Sequence, residues 1–600
     1  MALKAGAQGV SAAAETTSTA DDGVFEAVSS FEDLMKAVGI EGKWTTVLYI
    51  MCASCAFVSA LQTLPYQFLG ATPDYWCHVD SLVSANWTAE DIISIAVPLK
   101  DDADKRDFCK VYDYNFTKIA DLSFKEALLF ENEIKQSNIV SCSVRDFNSS
   151  QYKSTVTTEW DLVCEKRVLY STTQAAAQAG KFVGYFFTGY LLDKFGRRPI
   201  VLICSTLTII SGFLSAASPN AEFYILVKIV ITTMTSGVYL GCFVMSMETC
   251  SLEKRSMVGA LFTLPWALGY MAVPGIAYLI RTWQWMQVAY TVPALSLIAY
   301  FWILPESPRW LILKGRYEEA LSVLKWAASM NRKKLPTDEV ILRAMETIGI
   351  GEAKKSSITG ENDGLLTRMK KVVLEYLALL MAREFRVRTL VVYFCWFTAS
   401  MVYYGVALNA TNLSADPYLY VFLGGLLEVP AYLLLWPAVV YVGRTKSLVI
   451  LYGVCGITIL AITAVFLLAP GTPVGVTMFL SLTGKMAITA AFHLIWMFTA
   501  ELFPTKYRSL AVSQSSVNAR IGSLCSPYVN DILGEVVVWA PSLLFGSVSI
   551  VAAGLSLILP DTKGKNLPET IALEIKKGRN GEINESYIPE EEQQKGPSSS

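Results

Sequence analysis

Five charged side chains stand inside stretches that are otherwise apolar: Lys181, Lys228, Glu428, Lys485 and Arg520. In hydrocarbon each costs roughly 2.5–3.5 kcal/mol on insertion scales unless it faces a cavity or an opposite charge. Counted along their stretches, positions 181, 428, 485 and 520 fall near mid-depth. The chemistry open to such a set is non-covalent: it supplies counter-charges for an organic ion held away from bulk water. Trp266, Trp396, Tyr403 and Tyr404 lie at similar depth and offer π-faces that would wall such a pocket. Taken singly, each is more readily a packing residue. Bond-making chemistry has no comparable constellation. The chain has only two histidines, His78 and His493, and no repeated metal-ligand spacing, so no catalytic residue, metal or cofactor is expected. His493, on an apolar helix, is expected to be a packing residue.

A second set of charges sits where apolar stretches end. Gly189-Tyr190-Leu191-Leu192-Asp193-Lys194-Phe195-Gly196-Arg197-Arg198 is a short basic turn between two apolar runs. Gly189 and Gly196 are expected to let the helices reverse, because glycine accepts positive φ without strain. Asp193 is placed to pair with Arg197 and Arg198 or to cap a helix. Glu248 precedes Arg255 by seven positions, and Glu501 precedes Arg508 by the same interval. Ile303-Leu304-Pro305-Glu306-Ser307 is echoed by Ile558-Leu559-Pro560-Asp561-Thr562, and Gly196-Arg197 by Gly443-Arg444. Three matches in register mark an internal repeat of two halves. Asp193, Arg197, Arg198, Glu248, Arg255, Glu501 and Arg508 are read as gates, since charge pairs at helix ends form in one conformation and break in another. Static topology anchors are the plainer alternative.

The elements that must carry these residues follow from hydropathy. The 600 residues are 53% hydrophobic and only 17% charged, with a mean hydropathy of +0.40, which sets the chain apart from soluble domains. A net charge of −2 gives no case for nucleic acid. About twelve apolar spans are expected: 43–70, 171–192, 199–217, 223–247, 256–280, 285–304, 387–408, 418–441, 447–469, 474–500, 509–533 and 537–559. The loops at 194–198, 254–255, 309–386, 444–446 and 506–508 are rich in Lys and Arg, which assigns them and both termini to the cytoplasm. Residues 1–42 are expected to form a cytoplasmic leader, with a membrane-surface segment at 25–38, and 560–600 a cytoplasmic tail. The stretch 305–386 reads as a linker with surface helices at 310–328 and 365–381, joining a first half made of 43–70 and 171–304 to a second at 387–559.

Residues 71–170 break the pattern and form an outer domain. This domain holds Cys77, Cys109, Cys142 and Cys164, enough for two disulfides in an oxidising compartment, in any of three connectivities. It also holds glycosylation acceptors at Asn86, Asn115 and Asn148, and the later outer loop adds Asn409 and Asn412. Cys52 and Cys55 share a redox spacing, but inside a membrane helix they read as small packing residues.

Several runs resemble the organic cation/anion/carnitine transporter family of the major facilitator superfamily, over about 43–571. These are Phe68-Leu69-Gly70-Ala71-Thr72-Pro73-Asp74, Thr155 to Cys164, the Asp193–Arg198 turn, Glu306-Ser307-Pro308-Arg309-Trp310-Leu311, and Thr499-Ala500-Glu501-Leu502-Phe503-Pro504-Thr505. The resemblance implies an all-α membrane protein of twelve transmembrane helices in two six-helix halves, with a large disulfide-bonded extracellular loop. One departure is Val440, where the second-half turn of the family has an acid. The resemblance also implies that Trp396, Tyr403 and Glu428 line the pocket. It marks position 520 as diagnostic: cation-specific members carry Asp there, while anion and carnitine transporters carry Arg, as here. A guanidinium suits bidentate recognition of a carboxylate. The implied protein is therefore a plasma-membrane, multi-pass carrier of a small organic zwitterion or cation of the carnitine type. It would work as a monomer in the lipid bilayer, with a co-ion or counter-ion. Organic anion exchange, a sugar-porter-like activity and a membrane receptor are the alternatives; mid-membrane charges weigh against a receptor.

Overall fold

Without water to bond them, the backbone groups of long apolar runs must pair within the segment, so the runs are helices. The structure is a computed structural model, and it describes residues 31–39, 42–100, 106–251, 254–356, 379–380, 385–409, 416–469, 471–503 and 505–562. Its long helices are α1 Lys43–Leu69, α2 Arg167–Phe195, α3 Arg197–Ala216, α4 Ala221–Thr249, α5 Met257–Leu279 and α6 Trp283–Ile303. After the linker come α7 Arg386–Leu408, α8 Pro417–Tyr441, α9 Arg444–Leu468, α10 Val474–Leu502, α11 Thr505–Tyr528 and α12 Ala540–Ser556.

Among the described residues, nine of these helices are long and apolar enough to cross a membrane, and α12 is apolar but shorter. The other two, α2 and α11, are diluted by polar side chains. In α2 these include Thr173, Gln174, Gln178 and Lys181, all buried; in α11 they include Gln514, Ser515 and Ser523, also buried. Polar groups turned inward while large apolar ones such as Leu226, Leu434, Ile457 and Phe479 lie exposed is the reverse of a soluble protein's arrangement, and it is what lipid demands. The helices α2 and α4 approach closely because Gly184 faces the backbone of Thr233, where a Cβ would meet the carbonyl oxygen at 2.7 Å. The two halves meet along α2 with α11 and α5 with α8.

The reversal after α2 needs only one glycine: Gly196 has φ +103°, whereas Gly189 lies inside the helix. Gly443, before α9, repeats it at φ +100°. The segment expected along the membrane surface is, where described, the helix Phe31–Val38. Its Phe31, Leu34, Met35 and Val38 are buried against the linker helices Tyr317–Asn331 and Asp338–Ser356. Asn331 clasps the connection by donating to the carbonyls of Val38 and Gly39 and accepting from the Trp44 N–H at 2.9 Å. The helix expected at 365–381 lies almost wholly outside the described residues.

The outer domain has a small core built on Val79, Leu82, Ile92, Ile95, Phe116, Ile119 and Ile134, with short antiparallel strand pairs Tyr75–Cys77 with Arg145–Phe147 and Lys110–Tyr112 with Ile139–Ser141. A core of this size needs staples. They are Cys77–Cys142 and Cys109–Cys164, with Cα separations of 5.6 and 5.7 Å. Glu159 docks the domain onto α6, accepting from Trp283 Nε1 at 2.5 Å and Gln284 Nε2 at 2.6 Å. Asn86, Asn115 and Asn148 are exposed, whereas Asn409 is buried at the end of α7; Asn412 lies outside the described residues.

Candidate functional site

Two groups of mid-depth residues form between the halves. In the first, Lys181 of α2 is 5% exposed and donates to the hydroxyl of Tyr404 on α7 at 3.3 Å. Its Nζ stands 4.6 Å from the centre of the Trp266 ring on α5. Arg520 of α11 lies across Tyr185 of α2, with Cζ 4.4 Å from the ring centre. It is half-buried, and its Nε has no hydrogen-bond partner among the described residues. Lys181 and Arg520 are within electrostatic reach of each other. No carboxylate pairs with either of them among the described residues. Two cations are thus held by aromatic faces and a phenol hydroxyl, contacts too weak to satisfy both charges.

In the second group, Glu428 opens the inner segment of α8 and is 1% exposed. It accepts from the hydroxyl of Tyr403 and, at 3.2 Å, from that of Tyr432. Lys485 of α10, also 1% exposed, is near enough to Glu428 to feel its charge, yet its Nζ has no hydrogen-bond partner among the described residues. It sits instead 3.8 Å from the centre of the Tyr270 ring on α5. Gly424 makes room for it: a Cβ there would lie 2.8 Å from the Lys485 Nζ. The aromatic walls join the groups, since the Tyr403 and Tyr404 rings are 5.1 Å apart at nearly right angles.

The sequence-based set is therefore mostly brought together: Lys181, Trp266, Tyr403, Tyr404, Glu428, Lys485 and Arg520. Trp396 is not. It is fully buried within the second half, donating to Thr499 at 2.9 Å and packing on Trp496 at 5.0 Å. Lys228 is buried on α4, outside both groups, and its Nζ also lacks a hydrogen-bond partner among the described residues. Sequence reasoning missed Tyr185, Tyr270 and Tyr432. His493 packs edge-on against Tyr432 at 4.3 Å.

At the inner ends the repeated motifs build two matching clusters. In the first half, Arg197 donates to Glu248 at 2.8 Å, and Ser307 donates to the same carboxylate at 2.6 Å. Glu306 accepts from the backbone N–H groups of Arg197 at 2.8 Å and Arg198 at 3.2 Å. Asp193 lies 3.3 Å from Arg197. In the second half, Arg444 donates to Glu501 at 3.1 Å, Thr562 donates to Glu501 at 2.5 Å, and Asp561 accepts from the Arg444 N–H at 3.3 Å. The pairing differs from the expected one. Arg197 and Arg444 take the places foreseen for Arg255 and Arg508, whose Nε atoms are buried without hydrogen-bond partners among the described residues. The chain leaves helix at Cys250 before Arg255 and at Phe503 before Arg508, so an interval of seven does not bring those side chains to one face.

Contacts between the halves concentrate on the outer side. The ring of Tyr418 on α8 meets Phe68 at 5.1 Å, Tyr278 at 5.7 Å and Tyr152 at 6.4 Å. Thr172 on α2 meets Tyr528 at 3.2 Å.

Paired halves of membrane-spanning helices, with charged groups at mid-depth and matching clusters at the inner ends, define a carrier of the major facilitator fold. The backbone resembles the xylose transporter XylE from E. coli in its inward-open form, with a TM-score of 0.54 and 15% identity, covering 87% of this chain and 98% of that one. A partially occluded inward-open form gives 0.55, over 87% and 100%. Residues 135–572 match the family described as sugar (and other) transporter. The chain is 31% identical over 542 residues to the organic cation transporter protein of Drosophila melanogaster, covering 90% of this chain and 94% of that one. It is 30% identical over 549 residues to organic cation/carnitine transporter 2 of Homo sapiens, covering 90% and 93%. It is 29% identical over 560 residues to the beta-alanine transporter of Drosophila melanogaster, covering 90% and 88%. The chain belongs to the sugar (and other) transporter family of the major facilitator superfamily, in its organic cation/carnitine branch.

Proposed function

We propose that this chain carries small organic zwitterions of the carnitine type across the plasma membrane by alternating access. In this reading twelve spans form halves at 43–304 and 387–559, with residues 71–170 outside and both termini cytoplasmic. Asn86, Asn115 and Asn148 carry glycans, and one chain is the working unit. The observation that carries the reading is that Lys181 and Arg520 stand near each other in an aromatic setting where no carboxylate pairs with either among the described residues. A substrate carboxylate supplies the missing anion, and the guanidinium plane suits it bidentately. The cationic end of the substrate would then lie toward Glu428 and the rings of Tyr403 and Tyr404. Carnitine and beta-alanine, named in two relatives, each join a carboxylate to a cationic nitrogen.

A second reading, organic anion exchange, is favoured by one observation. Glu428 already accepts two phenol hydrogen bonds and faces Lys485, which leaves it less available to cargo. A membrane potential of 100 mV contributes about 2.3 kcal/mol per net charge moved. An anion entering a cell therefore needs a counter-anion, whereas a zwitterion is not opposed. Uptake of radiolabelled carnitine, beta-alanine, an arylcarboxylate and tetraethylammonium in expressing cells tests both readings. Uptake of carnitine or beta-alanine is the expected result. Uptake of the arylcarboxylate alone selects the second reading, and uptake of tetraethylammonium alone removes both.

A further inference from the structure

At the outer end the two halves close over a carboxylate that the substrate site does not use. Helix α11 continues into a π-helical turn, Val529–Leu533, and then a last helical turn, Gly534–Val536. The wider turn re-aims the side chains that follow it. It sets Asp531 against α2 of the other half, with only 9% of the residue exposed and Oδ2 without a hydrogen-bond partner among the described residues. The groups that face it are Arg167, Tyr170 and Ser171 from α2, Tyr66 from the end of α1, and Glu535 from its own segment.

Arg167 is the one cation among these groups. Its Nε lies 3.9 Å from Glu535, and its guanidinium sits 4.8 Å from the centre of the Tyr170 ring. Two carboxylates therefore share one guanidinium, and the more exposed Glu535 is the one within ion-pair distance. Ser171 donates to the Arg167 carbonyl at 3.3 Å. An ionised Asp531 with a bare, buried oxygen is costly in this closed setting, and protonation removes that cost.

We propose that Asp531 is a proton-binding site of the outer gate. Closing the halves moves one proton from hydronium in the outer water to the Asp531 carboxylate, leaving water and a carboxylic acid. Opening hydrates the group and returns the proton to the same side. The inference rests on the alternating-access reading above, but not on which substrate is carried. A single proton bound in one state and not the other changes the closed-to-open ratio by up to tenfold per pH unit.

The test uses the full chain in lipid nanodiscs, with the eight free cysteines changed to alanine and spin labels on Asn220→Cys and Val474→Cys, at the outer ends of the two halves. The distance between the labels is measured from pH 5 to pH 9. The longer, open population should grow with pH, by up to tenfold in the ratio per unit. In Asp531→Asn the ratio should stay within about threefold across the range. Arg167→Gln, which removes the cation that favours the ionised form, should shift the transition to higher pH, and it serves if Asp531→Asn does not fold. A wild-type distance indifferent to pH, an unaltered transition in Asp531→Asn, or an unmoved one in Arg167→Gln overturns the proposal. Absence of uptake for every candidate cargo would count against the substrate reading and leave this result standing.

Discussion

Replacing Arg520 by Gln keeps most of the side chain's bulk over Tyr185 and removes the charge and the fork of donors. If a substrate carboxylate sits on the guanidinium, the substitution removes one or two charge-assisted hydrogen bonds, each worth about 1.5–3 kcal/mol. The group is half-buried, so solvent screening argues for the lower half of that sum. Lys181 nearby retains part of the attraction. A net loss of about 2–3 kcal/mol corresponds to an increase in KM of roughly 30- to 150-fold at 1.4 kcal/mol per decade. Arg520→Asp goes further: the new carboxylate lies within reach of Lys181, pairs with it and occupies the place of the substrate's own. Uptake of carnitine or an arylcarboxylate should then fall to background, while tetraethylammonium uptake holds or rises. The assay is initial-rate uptake of each radiolabelled compound, normalised to surface-biotinylated protein. A carboxylate KM within about threefold of wild type in Arg520→Gln, at normal surface density, would refute the role of Arg520.

The other perturbations test separate parts of the molecule. Glu428→Gln leaves Lys485 without its nearby anion, and an uncompensated buried charge is destabilising; the melting temperature in detergent should drop, and adding Lys485→Met should restore part of it. Glu159→Gln weakens the bonds from Trp283 and Gln284 that dock the outer domain, at about 1.5–3 kcal/mol, seen as earlier protease cleavage of that domain. His78 lies 2.8 Å from Asp146 and 2.9 Å from Asp80, and its bond to Asp146 raises its pKa above the ordinary 6.5. That stabilisation is complete below the unfolded pKa and is lost as pH climbs through the folded one. The outer domain should therefore melt earlier as pH rises above about 6.5, and His78→Gln should flatten the dependence in scanning fluorimetry. Lys181→Gln should weaken carboxylate uptake while leaving tetraethylammonium uptake unchanged or improved, because it removes a cation and keeps the aromatic wall of Trp266 and Tyr404.

The charges at mid-depth were legible in the sequence because their cost is local: a lysine in an apolar run needs a reason wherever it points. The same holds for the inner clusters. Glu306-Ser307 and Asp561-Thr562 repeat beside Gly196-Arg197 and Gly443-Arg444, and in the structure each set closes on one glutamate. What the sequence did not disclose is pairing across elements. The partner of Glu248 depends on how Gly196 turns the chain at φ +103°, not on an interval along α4. Tyr185, Tyr270 and Tyr432 look like any of the 28 tyrosines until the helices that carry them are placed. Trp396 shares α7 with Tyr403 and Tyr404, but at its depth α7 faces Trp496 and Phe492 of α10 instead of the other half. Disulfide connectivity is of the same kind, since four cysteines in one insert are equivalent until strands pair Cys77 beside Arg145.

The distribution of contacts says which parts move together. At the inner ends Arg197, Glu248 and Ser307 belong to one half, and Arg444, Glu501 and Thr562 to the other. Each cluster ties the turn after the second helix of its half to the end of the fourth and the segment after the sixth, so each half is stiffened where its loops would otherwise flex. At the outer end the bonds run between halves, through Tyr418 with Phe68, Thr172 with Tyr528, and Arg167 with Glu535. These are ring contacts, one hydroxyl pair and one long ion pair, each worth about 1 kcal/mol or less. A gate made of weak contacts between stiff bodies opens by rotation of the bodies without unfolding either. The mid-depth groups span both halves, with Lys181 reaching Tyr404 and Lys485 reaching Tyr270, so rotation must rearrange them as well. Cations held by aromatic faces and a phenol hydroxyl resist enclosure when the site is empty, and in the proposed reading a substrate carboxylate removes that cost. On that reading substrate lowers the barrier to occlusion more than it stabilises either open form, which a carrier requires and a receptor does not.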